Sequence, residues 1–210
     1  YVFTRSSSDG TFTQQSKLHA SDPEASDRFG FSVSIYNNTA LIAAYTDDDN
    51  SKTDSGSVYV FTRSSTDGGT FTQQSKLHAS DAAVGDSFGR SVSLYGDTAL
   101  IGAEFDDDNG KSMSGSVYVF TRLSVDGTFT QQSKLHASDA AVTDHFGTSV
   151  SLYGDTALIG AYGDDDNSKT DSGSVYVFTR SSTNGGTFTQ QSKLHASDAA
   201  AGDYFGGSVS

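Results

Sequence analysis

One unit of about 58 residues recurs along this chain, and that recurrence constrains the fold more than any single residue. Tyr-Val-Phe-Thr-Arg begins at Tyr1 and returns at Tyr59, Tyr118 and Tyr176, at intervals of 58, 59 and 58 residues. Phe-Gly pairs at Phe29, Phe88, Phe146 and Phe205 keep the same spacing. A repeat of this length is one supersecondary unit that cannot bury its apolar face alone, so neighbouring copies must stack. Function is constrained too, because equivalent positions inherit equivalent chemistry.

Each unit reads as four β-strands. No stretch has helical periodicity, and Ser, Thr, Gly and Asp punctuate short β-branched and aromatic runs. In the second copy, Phe88 to Tyr95 alternates, and Gly96-Asp97 is a two-residue hairpin signal. Thr98 to Ala103 is apolar on both faces, as a strand sandwiched between sheets should be. An Asp-rich loop precedes Ser116 to Arg122, and an Asp126-Gly127 turn leads into Thr128 to His136. In that last strand, simple alternation puts Phe129, Gln131, Ser133 and Leu135 on one face, and Thr130, Gln132, Lys134 and His136 on the other. It is the most polar of the four and suits an outer edge. Small residues (Ala99, Gly102, Ala103) indicate tight packing around the second strand.

Four antiparallel strands graded from small and apolar to polar describe a β-propeller blade. Residues 1–27 hold the last two strands of a partial blade, 28–86, 87–144 and 145–203 are complete blades, and 204–210 open another. That makes about 3.6 blades where closed propellers have 4–8, so the expectation is a propeller completed by further blades, or an open solenoid or fibre of the same units. The sequence begins inside one motif and ends inside another, so it reads as an interior piece of a longer polypeptide.

The net charge of -13, with Asp supplying 24 of 26 acidic residues, disfavours nucleic acid and anionic membranes, which need a basic face. No apolar run approaches the roughly 18 residues of a membrane helix. With no cysteine, neither disulfides nor thiolate metal sites hold the fold.

Phe88-Gly89-Arg-Ser-Val, Leu100-Ile-Gly-Ala103 and Gly115-Ser-Val-Tyr-Val-Phe120 together resemble the FG-GAP repeat, which builds the seven-bladed propeller of integrin α-subunits and many surface proteins. The resemblance spans the whole chain and implies blades of an extracellular, non-catalytic module. Two features depart from it. The proline of Gly-Ala-Pro is replaced in Ala43-Ala44-Tyr45, Gly102-Ala103-Glu104 and Gly160-Ala161-Tyr162. The integrin-type calcium loop is also missing, since the first two strands are joined only by Asn37-Asn38, Gly96-Asp97 or Gly154-Asp155.

Several clusters are candidates for chemistry. Asp47-Asp48-Asp49-Asn50, Asp106-Asp107-Asp108-Asn109 and Asp164-Asp165-Asp166-Asn167 join the second and third strands. Calcium takes six to eight oxygens from such groups, so the loops are candidate calcium sites, with Asp54 and Asp171 as further ligands and a solvated acidic loop as the alternative. His19, His78, His136 and His195 recur in Lys-Leu-His-Ala-Ser-Asp on a polar edge, where surface histidines are expected. Asp27, Asp86, Asp144 and Asp203 precede Phe-Gly and are expected to accept backbone N–H bonds. Asn37-Asn38-Thr39 is a candidate N-glycosylation sequon on a hairpin tip, and its asparagines have no evident repeat-wide structural reason.

Comparing copies separates scaffold from variation. Phe-Thr-Gln-Gln-Ser-Lys-Leu-His-Ala-Ser-Asp is identical from Phe12, Phe71, Phe129 and Phe188. Residues beside Phe-Gly differ each time: Arg28 and Phe31, Ser87 and Arg90, His145 and Thr148, Tyr204 and Gly207. These form a candidate partner-binding rim, with neutral drift as the alternative. Catalysis needs an asymmetric set of acid, base and nucleophile, which repetition does not provide. The expectation is an extracellular or cell-surface module that binds a protein or glycan, or a fibril or surface-layer subunit that self-associates through open blade ends.

Overall fold

A computed structural model of the chain describes residues 1–64, 69–124, 127–181 and 186–210. The side chains of Asn50 and Asn167 and the predicted turn at Asp126 lie outside the described residues. Three sheets each contain four antiparallel strands in sequence order: β3 (Val33–Tyr36) to β6 (Thr72–Leu77), β7 (Ser91–Tyr95) to β10 (Thr130–Leu135), and β11 (Phe146–Tyr153) to β14 (Thr189–Leu194). Strands β1 (Val2–Arg5) and β2 (Phe12–Ser16) form a two-stranded sheet at the N-terminal end. At the other end, Phe205 bridges to Gly173. The fold is all-β and made of propeller blades. Helical residues among those described are confined to three-residue 3-10 turns in the acidic loops, so no helix is long and apolar enough to cross a membrane.

Sequence grading sets each strand's place. Strand β8 (Thr98–Ala103) is buried along its whole length. Its Ile101 and Ala103 face one inter-blade core and Leu100 the next. The polar strands β6, β10 and β14 form one edge of their sheets. Within a blade, Phe88 packs edge-to-face on Tyr118 and Phe120, at centroid distances of 5.5 and 6.0 Å, and the same trio recurs in the other blades. Such pairs add about 0.5–1.5 kcal/mol each beyond the area they bury.

The alternation expected for the last strand does not hold along its length. Gln131 pairs with Phe120, but Ser133, not Gln132, pairs with Val119. A bulge at Gln132 therefore moves every later side chain to the opposite face. Leu135 joins the core with Val117 and Val119, while Phe129 stays with Tyr118 and Phe120. Gln132 Nε2 donates to Thr130 Oγ1 at 2.8 Å and supports the bulge. Gln74 and Gln191 do the same.

Blades join through the Phe-Gly segment. Phe88 N donates to Ser55 O, Phe146 N to Ser114 O, and Phe205 N to Ser172 O, each into the preceding blade. Gly102 lies against the next blade, where a Cβ would sit 2.0 Å from Gly147 O. That contact needs glycine. Ser91 Oγ donates to the same carbonyl at 2.7 Å. In the first copy Ala43 takes the glycine's place, and Ser32 Oγ instead accepts from Val92 N at 3.0 Å.

Candidate functional site

A four-stranded antiparallel meander brings four points to one end of each blade: the entry to its first strand, the exit of its second, the entry to its third and the exit of its fourth. Phe-Gly, the Asp-rich loop and Lys-Leu-His-Ala-Ser-Asp therefore share one rim. Two sets of side chains occupy it, one the same in every copy and one different.

The constant set is a clasp between blades. Asp106 is 5% exposed. It accepts from Ser116 Oγ at 2.7 Å and from Tyr118 OH at 3.2 Å, and pairs with Lys134 Nζ at 2.9 Å. Asp81, from the preceding blade, accepts from Tyr118 OH and Lys134 Nζ, both at 2.8 Å. Lys134 Nζ also lies 3.4 Å from Asp108 and 5.4 Å from the Tyr118 ring centroid. Asp22, Asp47, Tyr59 and Lys76 repeat this arrangement, as do Asp139, Asp164, Tyr176 and Lys193. Gln131 clamps the preceding blade's Ser80, accepting from its N and donating to its Oγ, both at 3.0 Å. The undecapeptide is identical in all four copies, and its Gln, Lys, Ser and Asp all build this junction.

Electrostatics fit a held ion cluster. Burial disfavours ionisation of Asp81, but hydrogen bonds from Lys134 and Tyr118 outweigh it and hold its carboxyl below the usual range. Burial likewise works against the charge on Lys134, and its bonds to Asp81 and Asp106 more than offset this and raise its pKa. Burial, the Asp106 charge and the hydrogen bond to Asp81 push the Tyr118 hydroxyl up, so it stays a donor.

The three carboxylates of each acidic loop, the candidate calcium ligands, take three different roles. The first (Asp47, Asp106, Asp164) belongs to the clasp. The second (Asp48, Asp107, Asp165) accepts a backbone N–H, from Asp54, Met113 and Asp171 respectively, each at 2.8 Å. Those later residues act through the main chain, which is why methionine serves in the second copy. The third (Asp49, Asp108, Asp166) opens a 3-10 turn and lies 3.4–3.6 Å from His78, His136 or His195. Asn109 Nδ2 donates to Asp108 at 2.5 Å. The lysine ammonium stands among these oxygens as a built-in cation. Among the described residues, no group of three or more His, Cys, Asp or Glu side chains is arranged to hold a metal ion.

The variable set converges as well. Phe31 meets Tyr45 at 4.4 Å between centroids. The Arg90 guanidinium lies 4.7 Å over Phe31 and 5.3 Å over Tyr45, and Arg28 lies 5.1 Å over Tyr45. Arg90 Nε pairs with Glu104 at 2.5 Å, and Glu104 is 1% exposed. His145 stacks on Tyr162 at 4.8 Å and meets Phe105 edge-on, while Tyr204 packs on Tyr162 at 5.8 Å. Ser87 is buried, Thr148 half-buried and Gly207 exposed. Arg28, Ser87, His145 and Tyr204 all have φ between +55° and +58°, one bent backbone position carrying four different side chains. Tyr45, Glu104 and Tyr162, met in the sequence only as replacements of the Gly-Ala-Pro proline, also belong to this strip. They too vary between copies, which was the available signal.

Asp27, Asp86, Asp144 and Asp203 accept a backbone N–H three residues upstream, each at 2.6 Å. At the opposite rim, Asn37 is exposed with φ +52°, close to the +59° of Gly96 and Gly154. Asn38 Oδ1 accepts from Arg63 Nε at 3.2 Å, as Asp97 accepts from Arg122 at 2.8 Å. The asparagines therefore meet the repeat-wide needs of this hairpin, contrary to the sequence expectation.

Stacked four-stranded blades joined by a repeated clasp define a β-propeller-type repeat protein. The FG-GAP repeat model matches residues 12–61, 71–120, 129–178 and 188–210, and the chain belongs to that family. No curated protein sequence matches it. Similar solved structures include Sqt1 of Saccharomyces cerevisiae, at 13% identity over 83% of this chain with a TM-score of 0.46. Another is the periplasmic gluconolactonase PpgL of Pseudomonas aeruginosa, at 13% identity over 94% of this chain with a TM-score of 0.43. This chain spans 38% of the first and 64% of the second, under two thirds of either.

Proposed function

We propose that this FG-GAP repeat array is a non-catalytic binding module of an extracellular or cell-surface protein, which recognises a protein or glycan through the variable strip of the clasp rim. One observation carries this reading. The residues that hold blades together are the same in every copy, while those that differ gather in one strip beside them. Aromatic rings and arginines dominate that strip, and both are enriched where proteins bind partners. Repetition makes an enzyme the less economical reading, since each titratable group of the clasp has an equivalent in the neighbouring blades. Calcium, if it acts here, must compete with the lysine ammonium of each clasp.

The test is binding of the 210-residue chain to a glycan array and to cell surfaces, with a strip variant (Arg28→Gln, Phe31→Ser, Tyr204→Ser) beside an opposite-rim variant, Tyr153→Ser. Selective binding lost only in the strip variant supports the reading. Binding that survives in the strip variant, or no binding by the unaltered chain, overturns it.

Self-association has its own observation. Val33 and Ile35 are 65% and 62% exposed, whereas their equivalents Val92 and Leu94 are 8% and 5%. At the other end, Leu194 is 44% exposed against 6% for Leu135. Apolar faces of this kind mark interaction surfaces, and each end matches the chemistry of a blade junction.

A further inference from the structure

We infer that Arg28 and Arg90, gathered over Tyr45, form an anion site that takes the carboxylate of a singly charged ligand whose body rests against Phe31. The inference rests on the strip being the recognition surface and names the chemistry of one part of it.

The chain has six arginines, and four of them (Arg5, Arg63, Arg122 and Arg180) close the repeated Tyr-Val-Phe-Thr-Arg motif. Arg28 and Arg90 are the two outside it. They come from different blades and different positions relative to Phe-Gly, yet both lie over one tyrosine ring, at 5.1 and 5.3 Å from its centroid. The two like charges therefore lie within about one Debye length of each other. No repeated scaffold role accounts for bringing them together.

Their donors are turned to use only in part. Arg90 gives Nε to Glu104, and its two terminal nitrogens have no partner among the described residues. The Arg28 guanidinium makes no hydrogen bond or ion pair among the described residues, and its contact is with the Tyr45 ring. These unused N–H groups form planar forks, and such a fork matches a carboxylate. Glu104 neutralises one of the two cations, so the cluster carries about one net positive charge.

The surroundings limit the ligand. The chain as a whole is at -13, so a polyanion meets long-range repulsion, whereas a single carboxylate is attracted locally. Phe31 is 49% exposed beside Arg90 and offers an apolar face to the rest of a ligand. Sugar acids and carboxylates attached to an aromatic or aliphatic body share this chemistry.

The experiment titrates the 210-residue chain with glucuronate and with N-acetylphenylalanine. Methyl glucoside and N-acetylphenylalanine amide serve as neutral counterparts, and the arginine Nε–H signals are followed by NMR. Saturable shifts at Arg28 and Arg90 with a carboxylate, absent with its neutral counterpart, support the site, and the stronger carboxylate identifies the ligand body. Arg28→Gln, which leaves Glu104 paired, is expected to weaken binding about tenfold, the effect of one charge-assisted hydrogen bond. Arg90→Lys keeps the charge beside Glu104 but not the fork, and is expected to weaken binding similarly. Equal binding of neutral and charged probes, no shift with either carboxylate, or unchanged affinity in both variants overturns the inference. If no carboxylate binds while the strip variant still loses its cell or glycan partner, the anion site falls and the recognition strip stands.

Discussion

Glu104 is 1% exposed and its ion-pair partner is Arg90, so removing the arginine leaves a charge where water scarcely reaches. Breaking a buried pair from one side typically costs about 3–5 kcal/mol. Arg90→Ala is expected to destabilise the chain on that scale, while Arg28→Ala changes stability by less than about 0.5 kcal/mol, as read by urea unfolding. Asp144 offers a pH signature. Burial and the nearby Asp164 charge push its carboxyl up to about 6, although the Ala141 N–H opposes them. Above that pH both folded and unfolded states are ionised, and the folded state bears the cost. As pH falls towards 3.8, the native carboxyl binds its proton first and stability rises. Asp86 shifts the same way. Asp81 and Asp139 are lowered, so their contribution is lost only as pH falls below the usual carboxylate range. Lys134 is raised, so its contribution is lost only as pH rises past 10.5. Moving from about pH 7.5 to about pH 4.5 should raise stability by roughly 1–2 kcal/mol, with Asp144→Asn removing most of the gain. Thermal unfolding across that range checks it. The Asp before Phe-Gly was legible in the sequence because its job is local. Glu104 was not, because its partner is set by how the first and second strands of a blade pair, and by nothing in the spacing of residues.

Elements show why the clasp went unread. Period-two alternation puts Lys134 and Leu135 on the wrong faces until the bulge at Gln132 is known, and a repeated Gln-Gln says nothing by itself about a bulge. Strand order was legible, because polarity falls from edge to interior within every copy. Lys134→Met should cost about 2–3 kcal/mol, since Asp106 and Asp81 lose a charge-assisted partner. Lys17 holds the same place in the motif and keeps the tyrosine contact, over Tyr1, but has no ion pair among the described residues. Lys17→Met should therefore be nearly neutral, a control within the same molecule. EDTA is expected to leave the unfolding temperature unchanged, since ammonium groups already hold the carboxylates. Gly102→Ala forces a methyl against Gly147 O and should cost about 1–3 kcal/mol, as overpacking does. In each case chemical unfolding compares variant with parent.

At the scale of the molecule, the first and last full sheets of this chain expose apolar side chains whose equivalents in the middle sheet are buried. A cleft of about 690 Å³ opens where the two-stranded sheet meets the first full blade, lined by Val33, Ile35, Phe29 and Phe71 among others. If the exposed faces drive association, sedimentation should show concentration-dependent oligomers. Ile35→Glu should return the chain to monomers without lowering its unfolding temperature, because that side chain has no interior to leave. Blade architecture was legible from the repeat alone, since the period announces the unit and its polarity grading orders the strands. The variable strip was only half legible: the sequence showed which positions vary, and the fold alone shows that Arg28 and Arg90 share a tyrosine.

The clasp also bears on how such an array changes over generations. Both halves of every junction lie within one repeat period, so duplicating or deleting a whole period leaves each surviving contact with a proper mate. Copy number can therefore drift by recombination between near-identical stretches, with no interface to redesign, while the strip residues differ from copy to copy beside an unchanged clasp.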